Sequence, residues 1–125
     1  MIKLKSLLLE TISQEISSLE RQLTSKYKQY IEDLYFYYDD KNNSIFISDI
    51  YMKQQFKGRG WGTKIMNDIC QFADNKKMAI ALIPATDSIN PSGLRRLVRF
   101  YKRFGFIENS GNSTFDDMSM YRLPK

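Results

Sequence analysis

The sequence predicts an α+β domain in which a mixed sheet is flanked by helices. Apolar residues recur with helical spacing in three segments, and runs of strand length, rich in aromatic and β-branched residues, lie between them. One helix follows a strand through a glycine-rich loop and leads into another strand, an order that requires a crossover between parallel strands. At 125 residues, the chain has the length of one ordinary domain, so we expect a single domain over 1–125.

The first half of the chain predicts a helix and then a hairpin. Leucines and isoleucines three and four residues apart predict an amphipathic helix over 2–23. Aromatic and β-branched residues predict strands at 30–38 and 44–52, and the polar turn formers at 39–43 join them. We therefore expect an antiparallel hairpin.

The second half predicts the crossover and a closing hairpin. A helical pattern follows the glycines and ends at Asn75, and the apolar run 78–84 predicts a strand buried on both faces. Ser92 is the expected N-cap of a second amphipathic helix, and Gly105 suits a left-handed helix end. The remaining segments, in order, are a short strand at 106–108, a polar loop at 109–113 and a last strand at 118–123.

The composition excludes several kinds of chemistry. The chain has no histidine and a single cysteine, Cys70, so Ser-His-Asp and Cys-His catalysis, histidine metal sites and an internal disulfide are all excluded. Cys70 lies on an apolar helix face, where we expect it to be core. No stretch has the length of a secretory signal core or a membrane span, and we expect a soluble, cytoplasmic protein with no membrane partner.

Positive charge is concentrated in two short segments. The net charge is +5, and nine of the nineteen basic residues lie within 53–64 and 93–103, which contain no acidic residue. This distribution favours a partner that carries phosphate. Five of these charges, Arg95 to Arg103, share one predicted helix and could equally be a solvated face.

Gly58, Gly60 and Gly62 fall between a strand and a helix. A helix start presents unpaired N–H groups, and missing side chains let a phosphate approach them, so this loop predicts an anion cradle. The order Gly62-Thr63-Lys64 does not fit a Walker loop, and the glycine spacing is one residue short of the dinucleotide fingerprint. A tight turn that needs glycine for its geometry alone is the alternative.

The segment Gln55-Phe56-Lys57-Gly58-Arg59-Gly60 resembles the Gln/Arg-x-x-Gly-x-Gly/Ala motif of the GNAT superfamily of N-acetyltransferases. Residues 97–106 resemble the superfamily's second motif, which ends in Tyr, two or three residues, then Gly-Phe. The likeness covers about 44–108. Segments 91–93 and 109–112 are similar to small acetyltransferase-like proteins of phages and other mobile elements.

The resemblance implies a GNAT-like sheet that is shortened at its N-terminus, because the extra strand that ordinarily precedes the first helix is not recognisable. It also implies direct transfer of an acetyl group from acetyl-CoA, as co-substrate and without a metal, to a primary amine. By this likeness the acetyl-CoA-binding residues are Tyr51, Met52, Gln55, Lys57, Gly58, Arg59, Gly60, Trp61, Gly62 and Thr63.

Two catalytic roles follow from the resemblance. Tyr101 matches the family's general acid, which protonates the leaving thiolate, although its place in an apolar helix stripe also fits a core residue. A backbone donor near Met52 would polarise the thioester carbonyl. Apart from the resemblance, Asp49 is the candidate base because it lies three residues before Met52 on the same strand; a solvated or N-cap-bound carboxylate is the alternative. Glu32 and Asp33 are weaker candidates.

Two other classes of function stay open on the sequence alone. One is a GNAT-like binding module with little or no activity, which works through protein contacts. The other is a small basic nucleic-acid-binding protein, a reading that leaves the glycine motif unexplained. The acceptor amine could belong to a small molecule, a peptide or a protein, and an exposed edge strand would allow a homodimer.

Overall fold

The computed structural model describes residues 4–84, 91–109 and 119–125. Within them the chain forms three α-helices: α1 (Leu4–Lys26), α2 (Trp61–Asn75) and α3 (Pro91–Lys102). It also forms the strands β1 (Ile31–Asp39), β2 (Ser44–Met52), β3 (Ala79–Leu82), β4 (Ile107–Glu108) and β5 (Met120–Arg122). A single 3-10 turn, Gln54–Phe56, lies between β2 and α2.

The five strands form one mixed sheet in the order β1-β2-β3-β5-β4, which confirms the predicted fold class. β1 and β2 are the antiparallel hairpin, and β2 pairs with β3 in parallel across the α2 crossover. β5 runs antiparallel to both β3 and β4. β1 is therefore an edge strand, and β3 lies at the centre with all four residues buried.

The helices α1 and α2 run antiparallel along each other. Glu15 Oε2 lies 2.7 Å from Lys76 Nζ at the end of α2, and at the end of α1 Lys26 Nζ lies 3.1 Å from Asp68 Oδ2. The Tyr27 hydroxyl donates to the same Asp68 oxygen at 2.7 Å. These contacts tie α1 and the turn after it to the crossover helix, while α1 itself packs on β1 and its apolar stripe joins the core.

The core draws on every layer. Ile16 of α1, Phe36 of β1, Ile45 of β2, Ile65 of α2 and Ile80 of β3 are each 0–1% exposed. At roughly 25 cal/mol for each Å² of apolar surface removed from water, such burial is the main stabilising term. Cys70 belongs to this core, as the sequence predicts, and burial raises the pKa of its thiol.

The strands β1, β3, β4 and β5 differ from their predicted bounds by one or two residues, and two helix boundaries also differ. α1 continues to Lys26, three residues beyond the expected end, because its apolar stripe does not stop at Leu23. The stripe extends to Tyr27, whose ring is buried directly after the helix. The N-cap assigned to Ser92 is wrong, since α3 already begins at Pro91, and proline is favoured at the first helical position. Gly105 has φ +95°, as its predicted role requires.

Several predictions lie wholly or partly outside the described residues. The sequence also predicts a polar loop over 85–91, of which 85–90 lie outside the described residues and Pro91 already belongs to α3. Most of the loop predicted at 109–113, with the first residue of the predicted last strand, falls within 110–118. Among the residues that are described, no helix is long and apolar enough to cross a membrane. The same part of the chain holds no cluster of three or more potential metal ligands.

Asp74 and Arg122 connect the end of α2 to the last strand. The Arg122 guanidinium donates to both Asp74 oxygens, at 2.8 and 2.9 Å, and its Nε donates to the Phe104 carbonyl at 2.7 Å. The Lys125 backbone N–H adds a further bond to Asp74 at 3.0 Å. Because Arg122 is 4% exposed, this cation is buried, and among the described residues Asp74 is the carboxylate that pairs with it.

Candidate functional site

The candidate site lies where β2 and β3 part. The parallel pairing covers only Ser44–Ile47 of β2 and Ala79–Leu82 of β3, although β2 continues to Met52. Just beyond the paired region, Ile47 opposes Phe36 and Asp49 opposes Tyr35, so Ser48 is an extra residue on β2. A bulge of this kind bends its strand and increases the local twist, which opens the sheet into a wedge.

A cleft of about 430 Å³ occupies this wedge. It is lined by β2, the glycine loop, the end of β3 and one face of α3. Eight of the predicted site residues line it: Tyr51, Met52, Lys57, Gly58, Gly60, Gly62, Thr63 and Tyr101. The other four, Asp49, Gln55, Arg59 and Trp61, do not line it. The structure thus brings the glycine loop and Tyr101, forty residues apart in sequence, to one cavity.

The glycine loop leaves backbone donors free at the start of α2. Gly58 and Gly60 have φ +76° and +87°, in the left-handed region that favours glycine. Gly60 is the N-cap of α2 and offers no side-chain oxygen to the first N–H groups of the helix. With no acidic residue in the first turn and with Lys57 alongside, this end of the cleft fits an anion such as a diphosphate.

Gly62 lies in the first turn of α2 and faces α3. A Cβ at this position would lie 3.6 Å from the Phe100 ring, which is an ordinary contact and requires no shift. Since Phe100 lines the cleft, that Cβ would also project into it. Gly62 is therefore dispensable for the fold, whereas Gly60 is needed for its backbone conformation.

We predict that Gly62→Ala keeps or slightly raises stability, by up to about 1 kcal/mol, because alanine is the better helix former. The same variant should weaken acetyl-CoA binding about tenfold or more, because its methyl group occupies the approach to the free N–H groups. Thermal unfolding and calorimetric titration together check this prediction. Gly60→Ala is the matched control, and it should lose about 1–2 kcal/mol of stability from backbone strain. Unaltered affinity in Gly62→Ala would mean that no ligand approaches this turn.

Trp61 faces away from the cleft and packs against the end of α1. Its ring stacks on Tyr30 with centroids 3.6 Å apart and an interplanar angle of 11°, and Tyr27 meets it edge-on at 6.4 Å. The Lys64 ammonium lies 4.3 Å above the same ring. The Trp61 side chain thus joins the turn after α1 to the glycine loop. Only the backbone of Trp61 is still predicted to bind acetyl-CoA.

Tyr101 lies at the apolar end of the cleft. Its side chain is 5% exposed, with Phe100 and Phe106 rings 5.3 and 5.6 Å away. Burial, with a smaller contribution from the neighbouring Tyr51 phenol, raises the pKa of Tyr101 to about 12. No hydrogen bond joins its hydroxyl to any described residue. The ring is buried while the residue lines the cleft, so its hydroxyl is placed to meet a bound molecule.

Asp49 lies beside the cleft but not in its wall. Its side chain is half-buried on β2, and the Ser48 hydroxyl donates a long hydrogen bond of 3.4 Å to it. The bulge at Ser48 turns Asp49 onto the face that also carries Tyr51. Its role as the base stays a prediction.

Eight residues of the cleft wall were not predicted from the sequence: Ile47, Ser48, Ile50, Phe56, Leu82, Ile83, Leu97 and Phe100. Phe100 and Leu97 share the α3 stripe with Tyr101, so their helical spacing could have placed them there. Phe56 adjoins the glycine motif. Ser48 and Ile83 line the cleft only because the bulge opens the sheet, and this bend has no signature in their own residue types.

The basic residues of α3 divide into two groups. Lys102 pairs with Glu108 at 3.0 Å, and the Arg103 guanidinium lies 5.5 Å from the Phe100 ring. Arg95, Arg96 and Arg99 are exposed and do not line the cleft. The helix thus presents a solvated basic face beside the cleft. This agrees with a solvated face, which the sequence offered as the alternative to a phosphate-binding role.

A family model described as "Acetyltransferase (GNAT) domain" matches residues 8–108 of the chain. A search of curated protein sequences gives no match. Among solved structures, the anti-CRISPR protein AcrVA5 is 19% identical, with a TM-score of 0.53, over 70% of this chain and 85% of that one.

Two further structures share the fold. Ard1 from Thermoplasma volcanium is 18% identical with a TM-score of 0.54, and nourseothricin acetyltransferase is 20% identical with a TM-score of 0.50. Each alignment covers 74% of this chain, but only 62% and 56% of the respective relative. Similarity at these identities establishes a common fold and says nothing about the substrate of this chain.

Proposed function

Because the chain belongs to the GNAT family of acetyl-CoA-dependent N-acetyltransferases, we propose that this cleft transfers an acetyl group directly from acetyl-CoA to a primary amine. The observation that carries the proposal is the Tyr101 hydroxyl. It belongs to a residue whose ring is buried, and it lies in the same cleft whose opposite end presents the uncapped start of α2.

Acetyl-CoA fits the two ends of the cleft. Its diphosphate would accept hydrogen bonds from the backbone N–H groups of the glycine loop, with Lys57 as a counter-charge. The apolar walls, which include Leu97 and Phe100, suit a pantetheine chain. Bound in this way, acetyl-CoA supplies an activated thioester carbonyl between β2 and Tyr101.

In this proposal the residues share the proton transfers. The backbone near Met52 donates to the carbonyl oxygen as the amine nitrogen attacks and negative charge develops there. As the carbon–sulfur bond breaks, Tyr101 donates its proton to the sulfur. Burial in this apolar end also raises the pKa of the coenzyme A thiol, which brings it closer to the pKa of the Tyr101 phenol. Asp49, directly or through water, takes the proton that the nitrogen loses.

A direct test measures thiol release from acetyl-CoA in the presence of a panel of primary amines, with mass spectrometry of the products. We expect the thiol and the acetylated amine to appear in equal amounts. If acetyl-CoA binds and no amine of any class is acetylated, the transferase assignment is wrong and the chain is a binding module.

The high pKa of Tyr101 gives a pH prediction. A phenol of pKa about 12 stays protonated throughout the neutral and mildly alkaline range, so the acid form is not lost there. We expect kcat to rise or stay level from about pH 7 to about pH 10, as amines with pKa near 10 become neutral. A falling limb near pH 9 that disappears in Tyr101→Phe would show that the phenol titrates normally and would contradict this account.

A further inference from the structure

The β1–β2 hairpin carries a face of mixed aromatic and acidic character beside the cleft. In an antiparallel pair, directly opposed residues lie on the same face, and every second residue continues it. The register opposes Tyr37 to Phe46, Tyr35 to Asp49 and Asp33 to Tyr51. We call these six residues the hairpin face: Asp33, Tyr35, Tyr37, Phe46, Asp49 and Tyr51.

The far end of the hairpin face is an exposed aromatic ladder. The Tyr35 and Tyr37 rings lie 5.9 Å apart, and those of Tyr37 and Phe46 lie 5.5 Å apart. Tyr35 and Tyr37 are 47% and 43% exposed, whereas Leu34 and Phe36 on the opposite face are buried. Exposed aromatic rings in a row attract cations through their π-electron faces.

The near end joins carboxylates to the reaction cleft. Asp33 and Asp49 are diagonal neighbours across the two strands, and such neighbours lie about 7–8 Å apart. Tyr51, opposite Asp33, lines the cleft and lies close enough to Tyr101 to affect its titration. The hairpin face therefore leads directly to the hydroxyl that marks the reacting end.

The charges around the cleft are segregated. Lys57, Arg59 and Lys64 lie at the glycine-loop end and Lys53 directly follows β2, whereas Asp33 and Asp49 lie on the hairpin face. A molecule that reaches the cleft along the hairpin face meets carboxylates and aromatic rings, which favour a cation and disfavour an anion.

We infer that the hairpin face is the acceptor-binding surface, and that it selects an extended amine with a second positive charge several ångströms from the reacting nitrogen. This inference rests on the proposed function and names its substrate class. In it, Asp33 and the Tyr35 and Tyr37 rings hold the distant ammonium, while the neutral nitrogen reaches the thioester beside Tyr101. A polyamine and a lysine next to another basic residue share this chemistry.

The test compares two acceptors of equal length, diaminohexane and aminohexanol, which differ only in the second charge. We expect kcat/KM of the wild type to favour diaminohexane about tenfold or more, the value of one charge-assisted hydrogen bond. The peptides Lys-Lys and Lys-Glu distinguish a peptide acceptor from a polyamine. If the natural acceptor is a peptide, the preference for Lys-Lys over Lys-Glu should exceed the preference for diaminohexane over aminohexanol.

Asp33→Asn is the decisive variant. We expect it to raise KM for diaminohexane and to reduce the preference for diaminohexane over aminohexanol about tenfold or more. Tyr35→Ser should reduce the same preference, and Asp40→Asn, an exposed carboxylate in the hairpin turn, should not. Equal kcat/KM for both acceptors in the wild type, or a preference that survives Asp33→Asn, would overturn the inference.

Calorimetry with diaminohexane in the presence of coenzyme A adds a readout that requires no turnover. Binding of diaminohexane that is lost in Asp33→Asn supports the inference even if no acetylated product forms, in which case the transferase proposal alone fails. If acetyl-CoA binds and amines are acetylated but diaminohexane gives no heat, the hairpin face is not the acceptor surface and the transferase proposal stands.

Discussion

Replacement of Tyr101 by phenylalanine should lower kcat about a hundredfold or more, because proton transfer by a positioned side chain contributes rate factors of this size. The change removes one oxygen from a side chain whose ring packs between Phe100 and Phe106, so the core and the cleft wall keep their shape. Acetyl-CoA affinity should stay within about threefold of wild type. Steady-state kinetics with saturating substrates and calorimetric titration check both parts.

Tyr38→Phe is the matched control, because it removes a hydroxyl that donates to Asn43 at the hairpin turn, away from the cleft. It should leave kcat unaltered. If Tyr101→Phe turns over as fast as this control, Tyr101 is a core residue and the thiolate leaves without its proton. If Tyr101→Phe instead loses acetyl-CoA binding, the hydroxyl contributes to affinity and its assignment as the acid is wrong.

Asp74→Asn should destabilise the fold by about 3 kcal/mol, because it removes the charge of the carboxylate that accepts two hydrogen bonds from the buried Arg122 guanidinium. The expected fall in Tm is roughly 10 °C for a chain of this length. Glu15→Gln breaks the pair with Lys76, whose side chains are 38% and 43% exposed, and should cost less than about 1 kcal/mol. Chemical denaturation of both variants checks the difference, and equal losses would show that the Asp74–Arg122 contact does not stabilise the fold.

The same contact sets a dependence of stability on pH. Hydrogen bonds from Arg122, and to a smaller degree from the Lys125 backbone, hold the pKa of Asp74 below its ordinary value. A carboxyl whose folded pKa is lowered contributes stability above its unfolded pKa of about 3.9, and loses it as pH falls through the folded pKa. The stability gap between wild type and Asp74→Asn should therefore be full at pH 7 and narrow below about pH 4.

The local features of the fold could be predicted from the sequence. Periodicity placed the helices and strands, and the strand–glycine–helix order gave the parallel β2·β3 pair. The glycine motif and Tyr101 were assigned to one site by resemblance, and the structure places Gly58, Gly60 and Tyr101 in one cleft. These features depend on neighbours in the chain, where residue type and spacing carry the signal.

Features that depend on distant contacts were not predictable from residue types. Ser48 is an ordinary strand residue in the sequence, yet the bulge there separates β2 from β3 and exposes Ile83 to the cleft. The stack of Trp61 on Tyr30 joins residues from two elements and takes that ring away from the site. Asp74 and Arg122 meet across 48 positions, and no local pattern marks either as the other's partner.

Calorimetric titration with acetyl-CoA and with S-acetylpantetheine, which lacks the phosphates, tests most directly whether the start of α2 holds a diphosphate. We expect acetyl-CoA to bind with a Kd between about 1 µM and 1 mM, the range of typical KM values. S-acetylpantetheine should bind at least tenfold more weakly. No heat with millimolar acetyl-CoA, or equal affinity for the two compounds, would contradict it.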